Sequence, residues 1–187
     1  MPSRSSAPSE LPASILRLVA SRQARRVIID GRSGAGKTTL AQRLAEAWPT
    51  GPGPQIVSLD DFYPGWGGLR EGGALALAQV LIPHTDGRAG GYRLFDWTQG
   101  TFDGDPKHVA ARPPLIVEGC GSLTADSARV ADVTVWLDGD PATRRLRALE
   151  RDHGGFDAYW DMWAAQEDAH IRDDDPAKLA DLGFWVD

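Results

Sequence analysis

An α/β fold, with a five-stranded parallel sheet flanked by helices, is what this sequence predicts. Three observations lead there. Short apolar runs alternate with stretches of helical period. A glycine-rich turn joins the first of those runs directly to a helix. Acidic residues stand at or just past the carboxyl ends of the runs, at Asp30, Asp60 and Glu118. Runs that are apolar throughout belong to strands buried on both faces, the pattern of a parallel sheet. Ligands of such sheets bind at the carboxyl edge of the strands.

The elements follow in order. Residues 1–9 are rich in Ser and Pro and are expected to form a disordered tail, leaving 10–187 as one domain. Leu11, Ile15, Leu18 and Val19 recur with helical spacing. "RVIID" at 26–30 is the first strand, and Leu40, Ala41, Leu44 and Ala47 mark a helix from Lys37 to Trp48. "TGPGP" ends that helix, and "QIVSL" at 55–59 is the second strand. A short helix is expected over Ala74–Ile82, closed by Pro83, and the Gly- and Pro-rich stretch 83–106 reads as an irregular insertion. "PLIVEG" (114–119), "DVTVWL" (132–137) and "LGFWV" (182–186) are the remaining strands. Helical stretches near 141–152 and 156–172 separate the last two.

Composition sets outer limits. The chain has 187 residues, 42% of them hydrophobic, enough to bury a core. A net charge of −6 argues against nucleic acid as a partner, since phosphate neutralisation needs clustered Lys and Arg. One cysteine, Cys120, excludes an internal disulfide. No apolar run is long enough to span a membrane, and the N-terminus lacks a signal-peptide core, so the expected location is the cytoplasm.

The most specific segment is Gly31-Arg32-Ser33-Gly34-Ala35-Gly36-Lys37-Thr38, which matches G-x-x-x-x-G-K-[ST] and is followed by Thr39. Glycines let successive backbone N–H groups turn inward around an anion. The helix that follows offers its unpaired N–H groups and positive dipole end to the same phosphates. Lys37 adds a point charge at the β- and γ-phosphates, and the Thr38 hydroxyl is placed to ligate Mg²⁺. The expected cofactors are ATP and Mg²⁺.

Other sequence features narrow the class. The chain contains no asparagine, so it lacks the Asn-Lys-x-Asp guanine reader of ordinary GTPases. It also lacks a Leu-Ser-Gly-Gly signature. Arg144, Arg147 and Arg151 recur at i, i+3 and i+7 and share one helical face. Facing the phosphates from a lid at about 141–175, they would neutralise charge during phosphoryl transfer. Otherwise they form a solvated face paired with neighbouring acids.

The acceptor region is expected at about 60–106. Transfer to a hydroxyl needs a carboxylate that orients the hydroxyl and accepts its proton. Asp60 and Asp61 are adjacent, so only one can face the phosphate edge. Asp60 is the choice, with Asp61 left to cap the next turn. Arg93 has two readings. Pointing inward, it would bind the phosphate of a nucleotide or sugar phosphate. Paired with Asp96 or another acid, it is structural.

Taken together, the glycine loop, "LDDFY" (59–63), "YRLFDW" (92–97), "LIVEG" (115–119) and the Arg-bearing helix resemble the uridine kinase-like group of P-loop nucleoside kinases. The resemblance runs from about residue 26 onward. It implies the three-layer P-loop kinase fold with a helical lid. It implies Asp60 as catalytic base, Tyr63 as a wall of the nucleoside pocket and Glu118 as a carboxylate that helps hold Mg²⁺. Phe95, Asp96 and Trp97 would correspond to an aromatic patch against the base, and Arg147 and Arg151 to lid arginines.

Two functions compete at this point. One is an Mg²⁺·ATP-dependent kinase acting on a small-molecule hydroxyl, most simply a nucleoside, with nucleoside monophosphates or sugars as alternatives. The other is an ATP-gated binding protein with slow hydrolysis. Trp160, Trp163, Glu167 and His170 share a helical face and read as the packing side of the lid. The histidines at 84, 108, 153 and 170 lack metal-ligand spacing, and Cys120 reads as a small core residue. Asp30 either caps the glycine loop or meets the acceptor. Oligomeric state leaves no trace in the sequence.

Overall fold

The computed structural model describes residues 3–4, 13–49, 51–152 and 154–186. Its strands are β1 (Ser3–Arg4), β2 (Arg26–Gly31), β3 (Gln55–Ser58), β4 (Gly90–Asp96), β5 (Thr101–Val109), β6 (Leu115–Glu118), β7 (Val133–Gly139) and β8 (Leu182–Val186). Its α-helices are α1 (Ala13–Arg22), α2 (Lys37–Glu46), α3 (Leu69–Ala76), α4 (Ile82–Thr85), α5 (Ala125–Ala128), α6 (Pro141–Arg151), α7 (Trp160–Asp174) and α8 (Pro176–Leu179). Five parallel strands in the order β8-β7-β2-β6-β3 form the sheet, and β1 adds a two-residue parallel strand beside β8. Of the expected tail, Ser3–Arg4 is this strand; the rest of 1–9, with Leu11 and His153, lies outside the described residues.

Alternation along β2 explains the two layers. Val27 and Ile29 face one side and Ile28 the other, as the two-residue period of a strand requires. On the first side they meet Ile15 and Val19 of α1 and Leu40 and Leu44 of α2. On the second, Ile28, Val57 and Val117 pack with Leu69 of α3, Ala148 of α6 and Trp163 of α7. All of these side chains are at least nine-tenths buried. Because β2 is central, the loop after it opens at the middle of the carboxyl edge.

Two expectations fail in the acceptor region. Residues 83–106 are not irregular: β4 and β5 form an antiparallel hairpin. Most of β5 is exposed, so that strand has no buried face to impose alternation on the sequence, and the hairpin's buried core residues are Tyr92 and Val109. The helix placed at Ala74–Ile82 begins earlier, at Leu69, and continues past Pro83 through a π-helical turn at Leu77–Leu81 into α4. Pro83 directly follows the π-helical turn, so the proline and the turn together mark where the regular α-helical ladder is interrupted.

Candidate active site

The glycine loop connects β2 to α2 and has the backbone its motif demands. Gly34 and Gly36 adopt φ of 77° and 89°, the left-handed region. A Cβ on Gly34 would also overlap the Arg144 carbonyl oxygen, so the glycine is required twice over. Gly36 caps α2 and leaves the helix's first N–H groups pointing out of the loop. Ala35 is buried beneath the loop against the α2 side of the core, and Gly31 packs its backbone against Leu137.

A cavity of about 1020 Å³ runs along the carboxyl edge from this loop. At one end lie Ser33, Gly34, Gly36, Lys37, Thr38 and Thr39. The Lys37 ammonium donates to the Arg32 carbonyl at 3.1 Å and to Cys120 Sγ at 3.2 Å. Burial alone would lower its pKa; the bond to the Cys120 sulfur and the carboxylates of Glu118 and Glu167 raise it above its ordinary value. The Thr38 hydroxyl donates to Glu118 Oε1 at 3.1 Å. Burial raises the Glu118 carboxyl; Lys37 opposes that rise and Asp60 adds to it.

Asp60 lines the same cavity from the 3₁₀ turn Leu59–Asp61 that follows β3. Asp61 points elsewhere. It accepts from the Tyr92 hydroxyl at 2.9 Å and from Lys107 at 3.0 Å, pinning the hairpin rather than capping a turn. Beyond Asp60 the wall is aromatic: Tyr63, Trp66, Trp97, Phe156, Tyr159 and Trp163. Trp66 is the hub. It stacks on Tyr159 with centroids 4.7 Å apart and on Phe156 at 5.0 Å, and meets Trp97 at 4.8 Å. Arg147 and Arg151 reach the cavity from α6, with Arg151 paired to Asp152 at 3.0 Å.

Several expected site residues take other positions. Arg144 does not line this cavity. It is buried behind the loop, donating to the Gly139 and Ser33 carbonyls and pairing with Asp138, because the first turn of α6 packs against the loop's back. Arg93 is exposed and off the cavity wall. Alternation along β4 turns it away while Tyr92 is buried. Phe95 stands behind Trp97, edge-on at 5.4 Å, and Asp96 caps the hairpin turn through the Thr98 and Gln99 amides. Of that aromatic patch, only Trp97 reaches the cavity. Asp30 is fully buried and serves the scaffold: it accepts from the amides of Gly31, Gly121 and Leu123 and from His170 Nε2 at 2.9 Å.

Sequence reasoning missed three groups. Cys120 is not merely core; its thiol lines the cavity beside Lys37, and burial pushes its pKa up to about 12, so it stays protonated. Trp66, Phe156, Tyr159 and Trp163 form most of the aromatic wall. Glu167 and His170 reach the loop and its strand from α7. The available signal was two ionisable residues on the same helical face as Trp160 and Trp163, where packing alone needs none.

No protein-family model and no curated protein matches the chain. Solved structures do. A possible uridine kinase from Bacillus stearothermophilus aligns over 92% of this chain and 99% of its own, with TM-score 0.61 and 18% identity. A candidate fructose transport system kinase from Silicibacter sp. TM1040 aligns over 92% and 98%, with TM-score 0.54 and 23% identity. Shikimate kinase from Acinetobacter baumannii, in complex with shikimate, aligns over 91% and 87%, with TM-score 0.50 and 16% identity. The glycine loop at the centre of the sheet, the flanking helices and these three likenesses together identify the architecture: the chain has the fold of the P-loop kinases.

Proposed function

We propose that this protein transfers the γ-phosphoryl group of Mg²⁺·ATP to a hydroxyl of a small molecule, a nucleoside or a similar ring-bearing alcohol. One observation carries the reading. A single cavity joins a phosphate-binding loop to a carboxylate, Asp60, and then to an aromatic wall large enough to receive a second substrate.

The roles follow from position. Loop N–H groups and Lys37 would hold the β- and γ-phosphates. The site fits Mg²⁺. Thr38 and Glu118 face each other across 3.1 Å, and the Glu118 carboxyl, crowded by burial and by Asp60, gains from a nearby cation. These two residues would hold the ion, which supplies charge screening for the phosphates. Asp60 would orient the acceptor hydroxyl and take its proton as the oxygen attacks the γ-phosphorus. The bond to the β–γ bridging oxygen breaks, and ADP leaves. Arg147 and Arg151 would face the transferring group from above. Most of the acceleration would come from positioning and charge stabilisation.

The acceptor end also bears on substrate choice. The ring-lined wall beyond Asp60 favours a ring-bearing acceptor, and Arg93 lies outside the cavity, so a monophosphate acceptor would have to take its cation from Arg147 or Arg151. ADP release from Mg²⁺·ATP against nucleosides, monophosphates, sugars and vitamin-like alcohols tests the proposal. Asp60→Asn is expected to lower turnover by roughly 10²–10⁴ while nucleotide affinity holds within about threefold. Acceptor-independent ADP release, unchanged in Asp60→Asn, would instead favour the ATP-gated binding protein.

A further inference from the structure

We infer that Glu167 of α7 is a positioning residue for the phosphate-binding loop, acting from behind it through Ser33 and Cys120. The inference rests on the nucleotide reading above. Glu167 is 3% exposed and is not part of the cavity wall. A buried carboxylate is costly unless its oxygens are matched, so its partners are informative. Its Oε1 accepts the Ser33 backbone N–H at 2.7 Å and the Cys120 thiol at 3.3 Å. Its Oε2 lies 3.7 Å from the Arg32 guanidinium, which also pairs with Asp168.

These are the groups on which Lys37 rests. Its ammonium donates to the Arg32 carbonyl and to the Cys120 sulfur, and Cys120 also touches the Ser33 hydroxyl at 3.5 Å. Glu167 thereby fixes the first turn of the loop and the resting place of its lysine without reaching the nucleotide. The bond to a backbone N–H matters most. Loop amides bind phosphate by direction, and a peptide unit held at Ser33 constrains the next one at Gly34, where φ is 77°. Helix packing alone would be served by an apolar residue here, with no buried charge to satisfy.

Calorimetric titration of the full chain with Mg²⁺·ADP tests this without knowledge of the acceptor. Glu167→Ala is expected to raise the ADP dissociation constant at least tenfold. Glu167→Gln, which keeps an acceptor oxygen for the Ser33 N–H, should remain within about threefold of wild type. Gln166→Ala loosens the same helix elsewhere, at its contacts with the Trp66 carbonyl and the Leu69 amide. It should lower the melting temperature and leave ADP affinity unchanged. Should Glu167→Ala not fold, Glu167→Asp, which withdraws the carboxylate by one methylene, takes its place. Equal affinity in wild type and Glu167→Ala overturns the inference. So does a loss in Gln166→Ala as large as in Glu167→Ala, because helix packing would then account for both. A loss in Glu167→Gln matching that of Glu167→Ala overturns the hydrogen-bond assignment. Failure of the wild-type chain to bind Mg²⁺·ADP removes the nucleotide reading itself, and the inference with it.

Discussion

The two ends of the cavity are built differently. The end proposed to hold phosphate comes mainly from one short segment, the glycine loop from Ser33 to Thr39, and binding there would run largely through its backbone. The end proposed to receive the acceptor comes from the turn after β3, the loop before α3, the hairpin, and α7 with the turn before it, and it presents side chains. A site made of backbone tolerates few substitutions, because its geometry depends on special φ angles. A site made of side chains can change its ligand one ring at a time while the frame stays fixed. A fixed frame and a changeable wall can therefore share one cavity.

Substitutions that strike one end alone put this contrast to the test. The largest expected effect is at the phosphate end. Gly34→Ala places a Cβ at φ 77° against the Arg144 carbonyl, and nucleotide binding should fall below detection by calorimetry. The strain should also cost roughly 1–3 kcal/mol of stability in denaturant unfolding. Wild-type affinity in that variant would break the claim that the backbone governs this end. A smaller effect is expected from Trp66→Ala, which removes the hub of the aromatic wall. Once an acceptor is found, its KM should rise about tenfold, as expected for the loss of one or two aromatic contacts, with ATP KM nearly constant. A matching rise in ATP KM would show that the two ends are not separable.

The smallest effect concerns the scaffold that both ends share. His170 is 5% exposed and bridges two carboxylates, Asp30 at 2.9 Å and Asp174 at 3.0 Å. Burial alone would lower its pKa; the bonds to Asp30 and Asp174 outweigh that and raise it. A group with a raised folded-state pKa contributes stability that is complete below its unfolded value, about 6.5, and is lost as pH rises through the folded value. Melting temperature should thus decline from weakly acidic to alkaline pH, and His170→Gln should flatten that part of the profile. An identical slope in the variant would assign the pH dependence to other groups.

What the sequence disclosed follows the same division. Gly31 to Thr38 could be read directly because phosphate binding by a loop is local, and spacing along the chain equals spacing in space. The three inner strands, β2, β6 and β7, were visible because burial on both faces forces continuous apolar runs, whereas β3 and β8 are only partly buried and were read from shorter apolar runs. That Asp60 and Asp61 diverge could be read from their adjacency, but both lie in the 3₁₀ turn after β3 rather than in a strand, and adjacency alone does not say which one lines the cavity. The hairpin was not visible, because exposed strands need no pattern. Neither was the aromatic wall, since Trp66 and Tyr159 meet only after the chain between them has folded. Arg144 misled for the same reason. Helical period puts it on a face with Arg147, yet only tertiary packing decides that this first turn lies against the loop's back.

One further consequence follows from where α6 and α7 are fastened. Arg144 holds the start of α6 to the Ser33 carbonyl, and Glu167 holds α7 to the Ser33 amide. The segment is therefore an arch with both feet on one residue of the loop, and its crown, near Phe156, leans on Trp66. Fastened at both feet, such a segment would open by lifting at the crown rather than by swinging like a flap. Lifting breaks ring contacts worth about 0.5–1.5 kcal/mol each and leaves the costlier buried carboxylate contacts at the feet intact. The traffic of molecules through this cavity would then be metered by the unstacking of aromatic rings at its acceptor end.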